Sequence, residues 1–498
     1  MEEQGTPVFS YSPDRRTALV LCGTGAHGAY QAGVLRALQE AGVKLDVVAG
    51  QGVGAAGAAL AAIDGSARLW DANGIWLEKA TPALYGWKPL LRAAGWTAAL
   101  LALVLLVPLF VLLVGQLVFL LGFLLTLLGL SAGQSLTAAY SSTLDVMFAD
   151  QNLPTVVPRL AMVLLAMLIA VCAGGVLLAQ WRAPVRRRAE GGWWWRLLAS
   201  PLDTRAAHEL FGGSLWQLIR GAASMTTPSN AVLGRRYAEV LAENLGQPGF
   251  RELIVVASDL DARRDVVAAL LRPEFARAFG APQPGRDRRS EVLDLGSDER
   301  EHAFDMIAAA LTPPLGCDPT LVRFSSNSYW RGETHRLCDR PGLVSRLLEE
   351  VAAAGVTQVI VASATSTSDG PHRLSPPRLD LRSRLGDVVV AAEAAGLRDA
   401  IVMARLRFDG VYVITPTHNQ IGPFDFGGAY DPASDRQDTL AELMHHGYED
   451  AYRQFIEPVV GASGEQLVQL PLQSPDGTDD GKREADLKMG LYLRDLEP

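Results

Sequence analysis

The stretch ALVLCGTGAHGAYQAGVLRALQEAGVKLDVVAGQGVGAAGAA, residues 18–59, decides how the rest of the chain is read. An apolar run, Ala18 to Cys22, predicts a buried strand and runs into a glycine loop, Gly23-Thr24-Gly25-Ala26-His27-Gly28. Tyr30, Val34, Leu35 and Leu38 then recur at helical spacing, and Leu45 to Ala49 predicts a second strand. A second tight turn, Gly50-Gln51-Gly52-Val53-Gly54, opens an alanine-rich helix. Each turn joins a strand to a helix, so backbone N–H groups at two helix starts are expected to converge on one anion. The second turn has the G-x-S-x-G outline of a nucleophile elbow, in which a strained turn holds a serine hydroxyl above the sheet. Its central residue is Gly52, which has no side-chain atom with which to attack an ester.

Outside this unit the apolar residues are unevenly spread. The chain has 498 residues, 49% of them hydrophobic, enough for several domains or one large domain with an insertion. Thr97 to Leu130 holds no charged residue, and a second apolar run covers Leu160 to Gln180. Each is long enough for a membrane span. The first, interrupted by Pro108 and Gly115-Gln116, reads as one long kinked helix or as a hairpin of two short ones, with Ser131 to Arg159 a polar loop. Tyr85, Trp87, Lys88, Arg92 and Trp96 precede the first run; Arg186 to Arg188 and Trp193 to Trp195 follow the second. Aromatic rings beside cations on both flanks are the signature of a headgroup belt, and the cation bias puts both flanks in the cytoplasm. The expected setting is therefore an integral membrane protein of a bacterial inner membrane with its globular part cytoplasmic. Homo-oligomers are expected to form through the membrane region.

The net charge of −9 gives no basic face for nucleic acid. The four cysteines, Cys22, Cys172, Cys317 and Cys338, lack paired spacing and read as reduced core or membrane residues, with no metal site and no cofactor expected. The N-terminal segment Met1 to Thr17 is polar, unlike a signal peptide. Downstream, strands are expected at Arg251 to Ala257 and Thr357 to Ala362, and one or two within Ala400 to Pro416. Helices are expected at Ala303 to Leu311, Gly342 to Ala354, Leu385 to Ala395 and Leu440 to Val460, before a polar tail from Ser463. Alternating strands and helices make this an α/β chain with a mostly parallel sheet between helices. The boundaries expected are 1–94 and 182–462 for the two parts of the globular domain, 95–181 for the transmembrane insertion and 463–498 for the tail.

In the order and spacing of its motifs the chain resembles the patatin-like phospholipases. There a G-G-G-x-[RK]-G oxyanion loop and helix precede D-x-x-x-G-x-S-x-G. Here Gly23 to Gly28 are followed by Asp46-Val47-Val48-Ala49-Gly50-Gln51-Gly52-Val53-Gly54. Thr226 to Leu233, Leu253 to Asp261 and Ala309 to Pro314 resemble further family segments. Cys338-Asp339-Arg340-Pro341-Gly342 stands where the family's D-G-[GA] motif supplies the dyad aspartate.

The resemblance implies a three-layer sandwich acting on membrane phospholipid or other fatty-acyl lipid. Gly52 takes the nucleophile position and Asp339 that of the dyad aspartate; Gly23, Thr24, Gly25, Ala26, His27 and Gly28 form the oxyanion loop, and Gly50, Gln51, Val53 and Gly54 the elbow frame. Four departures stand against hydrolysis: Gly52 for serine, Thr24 for glycine, His27 for Arg or Lys, and Arg340-Pro341 after the aspartate. The expected function is a membrane-anchored relative that binds lipid or a partner without serine-hydrolase chemistry. One alternative is an active lipid acyl hydrolase, with an engineered Gly52 or a water activated by Asp339 or His27. The other is nucleotide binding, because Gly23-x-Gly25-x-x-Gly28 is also a dinucleotide fingerprint, with Asp46 the nearest acidic partner.

Overall fold

The computed structural model of the chain describes residues 11–147, 149, 153–182, 200–222, 226–280, 288–326, 328, 330–366, 380–416, 421–431 and 436–461. Arg186 to Arg188, Trp193 to Trp195 and the tail from Ser463 lie outside them.

Residues 18–59 build the centre of the sheet. Strand β1 (Thr17–Cys22) is buried along its whole length, which is why it shows no polar alternation. Its Leu19 and Leu21 enter one apolar core, and its Ala18, Val20 and Cys22 the other. Helix α1 (His27–Glu40) leads to β2 (Val47–Gly50), and α2 (Val53–Ala62) follows the elbow, with a single turn α3 (Ala67–Trp70) after it. The sequence then leaves the sheet for α4 (Pro89–Leu127), α5 (Ala132–Met147) and α6 (Leu153–Arg182).

It returns through α7 (Arg205–Ile219), α8 (Asn230–Asn244), β3 (Glu252–Asp259), β4 (Arg264–Leu270), α9 (Pro273–Gly280) and β5 (Ser290–Asp294). Helix α10 (Ala303–Ala310), strands β6 (Thr320–Arg323) and β7 (Thr334–Cys338), helix α11 (Val344–Ala353) and β8 (Gln358–Ser363) come next. Helix α12 (Leu381–Ala404), β9 (Gly410–Ile414) and α13 (Leu440–Ala451) follow.

The sheet runs β5-β4-β3-β2-β1-β8-β9, with β7 pairing the end of β3 and β6 pairing β7. It is mixed and mostly parallel. The β1 pairs with β2 and β8 are parallel, as are β2 with β3, β8 with β9 and β4 with β5, whereas β3 pairs antiparallel with β4 and β7. Helices cover both faces: α1, α2, α7, α8 and α10 contribute to one core, and α11 with the end of α12 to the other. Succession from β1 runs outward to β2 on one side, while β8 and β9 lie on the other. The crevice between the carboxyl ends of β1 and β8 is thus the topological switch point, where open α/β sheets form their sites.

Some expectations change and others are met. Ser131 to Arg159 is mostly helical, because α5 packs back on α4, with Gly133 and Thr137 against Gly122 and the Tyr140 hydroxyl donating to the Val111 carbonyl at 2.7 Å. Ala400 to Pro416 holds one strand, Gly410–Ile414, within the one or two expected. The segment's first residues belong to α12, where Leu397, Ala400 and Ala404 recur on one buried face. Finally, α4 is a single 39-residue helix, and among the described residues it is the one helix long and apolar enough to cross a membrane, by length and composition only; in α6 the apolar stretch Arg159–Gly175 is shorter.

At the opposite end of the sheet, buried Glu252 accepts two hydrogen bonds from Arg16, at 3.0 and 2.7 Å, and one from Arg272 at 2.8 Å. These bonds tie β3 to the residue before β1. Glu252→Ala leaves Arg16 without its carboxylate, while Arg272, a third exposed, keeps Asp46 and Glu274, so chemical denaturation should show a loss of about 1–3 kcal/mol.

Candidate functional site

The elbow backbone is in place. Gly52 has φ 56° and ψ −135°, a conformation L side chains rarely adopt, and it initiates α2. The outer glycines admit backbone: a Cβ on Gly54 would run into the Leu21 carbonyl, and one on Gly50 into Gly54 and Ala55. A Cβ on Gly52 would point toward Asp339, with Oδ2 at 3.0 Å, as a dyad requires. That same atom would come closer than 3.0 Å to the Gly23 carbonyl oxygen, a separation real Cβ contacts essentially never show. The Gly23 carbonyl is held there because it accepts a hydrogen bond from the Val53 N–H at 2.9 Å. Val53 follows the nucleophile position, the place from which an elbow's oxyanion donor comes. The chain's own carbonyl therefore occupies that donor and the space of a nucleophile side chain.

Much of the first glycine loop is engaged in the same way. The Ala26 N–H donates to the Pro423 carbonyl at 2.8 Å, the His27 N–H to Thr24 at 3.3 Å and the Gly28 N–H to Gly25 at 3.2 Å. Gly25, at φ 59°, lies so close under Pro423 that a Cβ there would overlap its carbonyl. Phe424 and Phe426 pack on Tyr85, with ring centroids 5.7 and 5.8 Å apart, and Arg382 donates to the Phe424 carbonyl. Residues 421–426 thus form a cover fastened at several points.

Beneath this cover lies a buried acidic pair. Asp339 follows β7, and its N–H donates to the Thr312 carbonyl at 2.8 Å, so the Ala309–Pro314 segment positions it. Glu393 reaches in from α12, 5% exposed. The Thr24 hydroxyl donates to Glu393 Oε1 at 2.6 Å and lies 3.4 Å from Asp339 Oδ2; His27 Nδ1 lies 3.6 Å from Glu393 Oε2. Burial, reinforced by the negative charge of Glu393, pushes the Asp339 carboxyl up to about 8. At neutral pH this shift favours its protonated form, which is not a general base. Cys22 is no substitute nucleophile, since burial holds its thiol up at about 12. The cavity remaining between Gly23, Gln51, Gly342, Ser363 and Glu393 is about 10 Å³, room for roughly one water.

The structure brings together Gly23, Thr24, His27, Gly52 and Asp339, and adds Glu393 and Pro423, which the sequence reading did not single out. Glu393 carried a signal: it is the lone carboxylate in the run Val388 to Ala395. Pro423 carried none. Asp46 lies at the start of β2, the far end from the glycine loop, where its carboxylate accepts from the Thr17 N–H at 2.9 Å; this is a structural role, not one at a ribose. Among the described residues no cluster of His, Cys, Asp and Glu is suited to a metal ion.

A family model described as patatin-like phospholipase matches residues 19–360. A search of curated proteins returns no match. Among solved structures, that of VipD from Legionella pneumophila matches at 12% identity and a TM-score of 0.28, over 89% of this chain and 67% of that one.

The Asp339 proton has a consequence for stability. Between about pH 4 and pH 8 the folded chain keeps a proton that the unfolded chain releases, so this group's contribution weakens as pH rises through that window. Asp339→Asn removes the effect. Urea unfolding should find the variant gaining on the parent from pH 5 to pH 8; a difference independent of pH would contradict the assignment.

Proposed function

This chain belongs to the patatin-like phospholipase family, and from that premise we propose that it is a member without serine-hydrolase activity, anchored in a membrane, that acts by binding lipid or a protein partner. The observation that carries the reading is the filled elbow. Gly52 lacks the nucleophile, and the Gly23 carbonyl occupies both the space and the N–H that acyl transfer would need.

Anchoring is supported by the surface of α4. Leu103, Phe110, Leu117, Phe123 and Leu127 are between 64% and 73% exposed, a continuous apolar surface that a water-facing protein does not carry. At 1.5 Å per residue the helix is roughly 58 Å long, more than the ~30 Å of a hydrocarbon core. Lys88 and Arg92 at its end next to the sheet support, by the positive-inside rule, a cytoplasmic globular part, with the chain returning through α6. The same helices offer a surface on which two copies could associate.

A second reading, hydrolysis by Thr24, has one observation in its favour: a hydroxyl lies 3.4 Å from Asp339 Oδ2 and 2.6 Å from Glu393 Oε1. Glu393, which accepts its hydrogen bond, is the group at hand to take its proton. The cavity of about 10 Å³ between Gly23, Gln51 and Glu393 holds no acyl chain, so this reading requires α12 and residues 421–426 to move away.

The test is fatty-acid release from phospholipids and p-nitrophenyl esters by the purified chain in detergent. Release should not exceed that of a Gly25→Asp control; release well above it, abolished by Thr24→Val, would establish the second reading instead. Gly52→Ser should gain no activity and should lose roughly 1–3 kcal/mol of stability from backbone strain and crowding against Gly23.

A further inference from the structure

The carboxyl end of β3 opens onto a separate cavity of about 450 Å³, lined by Arg263, Arg264, Arg289, Arg340 and Arg346 with Asp265 among them. Asp259 is the other carboxylate in its wall, so five guanidinium groups face two carboxylates. On a chain whose net charge is −9 this is a local reversal of sign.

Most of these charges have partners. Arg340 and Arg346 share Asp265 at 3.0 and 3.3 Å, Arg346 also pairs with Glu349, and Arg264 pairs with Glu291. The Asp259 carboxylate is held by His335 and by the N–H groups of Asp261 and Ala262, at 2.8 and 3.0 Å. Among the described residues, Arg263 and Arg289 have no ion-pair partner. Both are exposed at the rim, and the loop carrying Arg263 is fixed. Asp259 closes its turn, the Arg336 guanidinium holds Asp261 through bonds of 2.7 to 3.2 Å, and Arg263 itself sits at φ 56°, a conformation non-glycine residues adopt only when their surroundings impose it.

We propose that this cavity binds the phosphate group of a phosphate monoester, with Arg263 and Arg289 as its principal ligands. A guanidinium fork matches two phosphate oxygens, and two forks lacking carboxylates supply the charge a dianion needs. A cavity of this volume also leaves room for the organic group behind the phosphate. The phosphate has two sources, the headgroup of an anionic lipid such as phosphatidate or a soluble phosphate. The proposal is independent of whether the elbow hydrolyses anything.

Titration of the full chain in neutral detergent at fixed ionic strength tests it. The probes are inorganic phosphate, dihexanoyl phosphatidate and, as a zwitterionic control, dihexanoyl phosphatidylcholine. Saturable binding of a monoester is expected, weakened by about tenfold or more in an Arg263→Gln/Arg289→Gln double variant whose unliganded melting point is unchanged. Phosphatidate binding at least about tenfold tighter than inorganic phosphate assigns the site to a lipid headgroup, and equal affinities assign it to soluble phosphate; either supports the proposal. If the double variant is poorly folded, Arg263→Lys and Arg289→Lys singly keep the charge, lose the fork and should each weaken binding. Absence of saturable binding, equal binding of the phosphatidylcholine control, or parental affinity in the variants overturns it.

Discussion

One hydrogen bond, from the Val53 N–H to the Gly23 carbonyl at 2.9 Å, governs what the centre of this molecule can do. It joins the two glycine turns that the sheet presents side by side, and it is compatible only with glycine at position 52. A serine there would need the same space as the Gly23 oxygen, so the hydrogen bond and the nucleophile exclude one another. The elbow's strained φ and ψ persist although no side chain now uses them. The frame is held by the packing of β1, β2 and α2, which depends on the outer glycines and not on the central residue.

Closure of the crevice follows from this contact. With the elbow donor occupied, the Thr24 hydroxyl turns to Glu393, and the pair Asp339 and Glu393 is buried with few polar partners. Burying two carboxyl groups together is costly unless one keeps its proton, and the upward shift of Asp339 is how that cost is reduced. Helix α12 and residues 421–426, which supply Glu393 and Pro423, lie beyond the residues the family model matches. The part matched to the family supplies the crevice, and residues outside that match fill it.

How far this was legible follows from sequence distance. Strand β1, the glycine loop, α1, β2 and the elbow are contiguous, and their strand and helix periods and glycine punctuation can be read directly. The apolar insertion was equally plain, although α5 was not: its serines and threonines resemble a loop until Gly122 and Gly133 bring it against α4. The site's closure was not legible, because Thr24 meets Glu393 across 369 positions, and Ala26 meets Pro423 through a backbone carbonyl that any residue would supply. Asp339 could be placed by its motif. Its protonation could not, since that depends on Glu393.

The proposal that this chain performs no hydrolysis rests on a crevice without a serine at position 52 and with little space beside it. Its most direct test is intact-mass spectrometry of the purified chain after prolonged exposure to an excess of an alkyl fluorophosphonate, which labels activated hydroxyls. An unchanged mass is expected; a stoichiometric phosphonyl adduct mapping to Thr24 would show a reactive hydroxyl in the crevice and overturn the proposal.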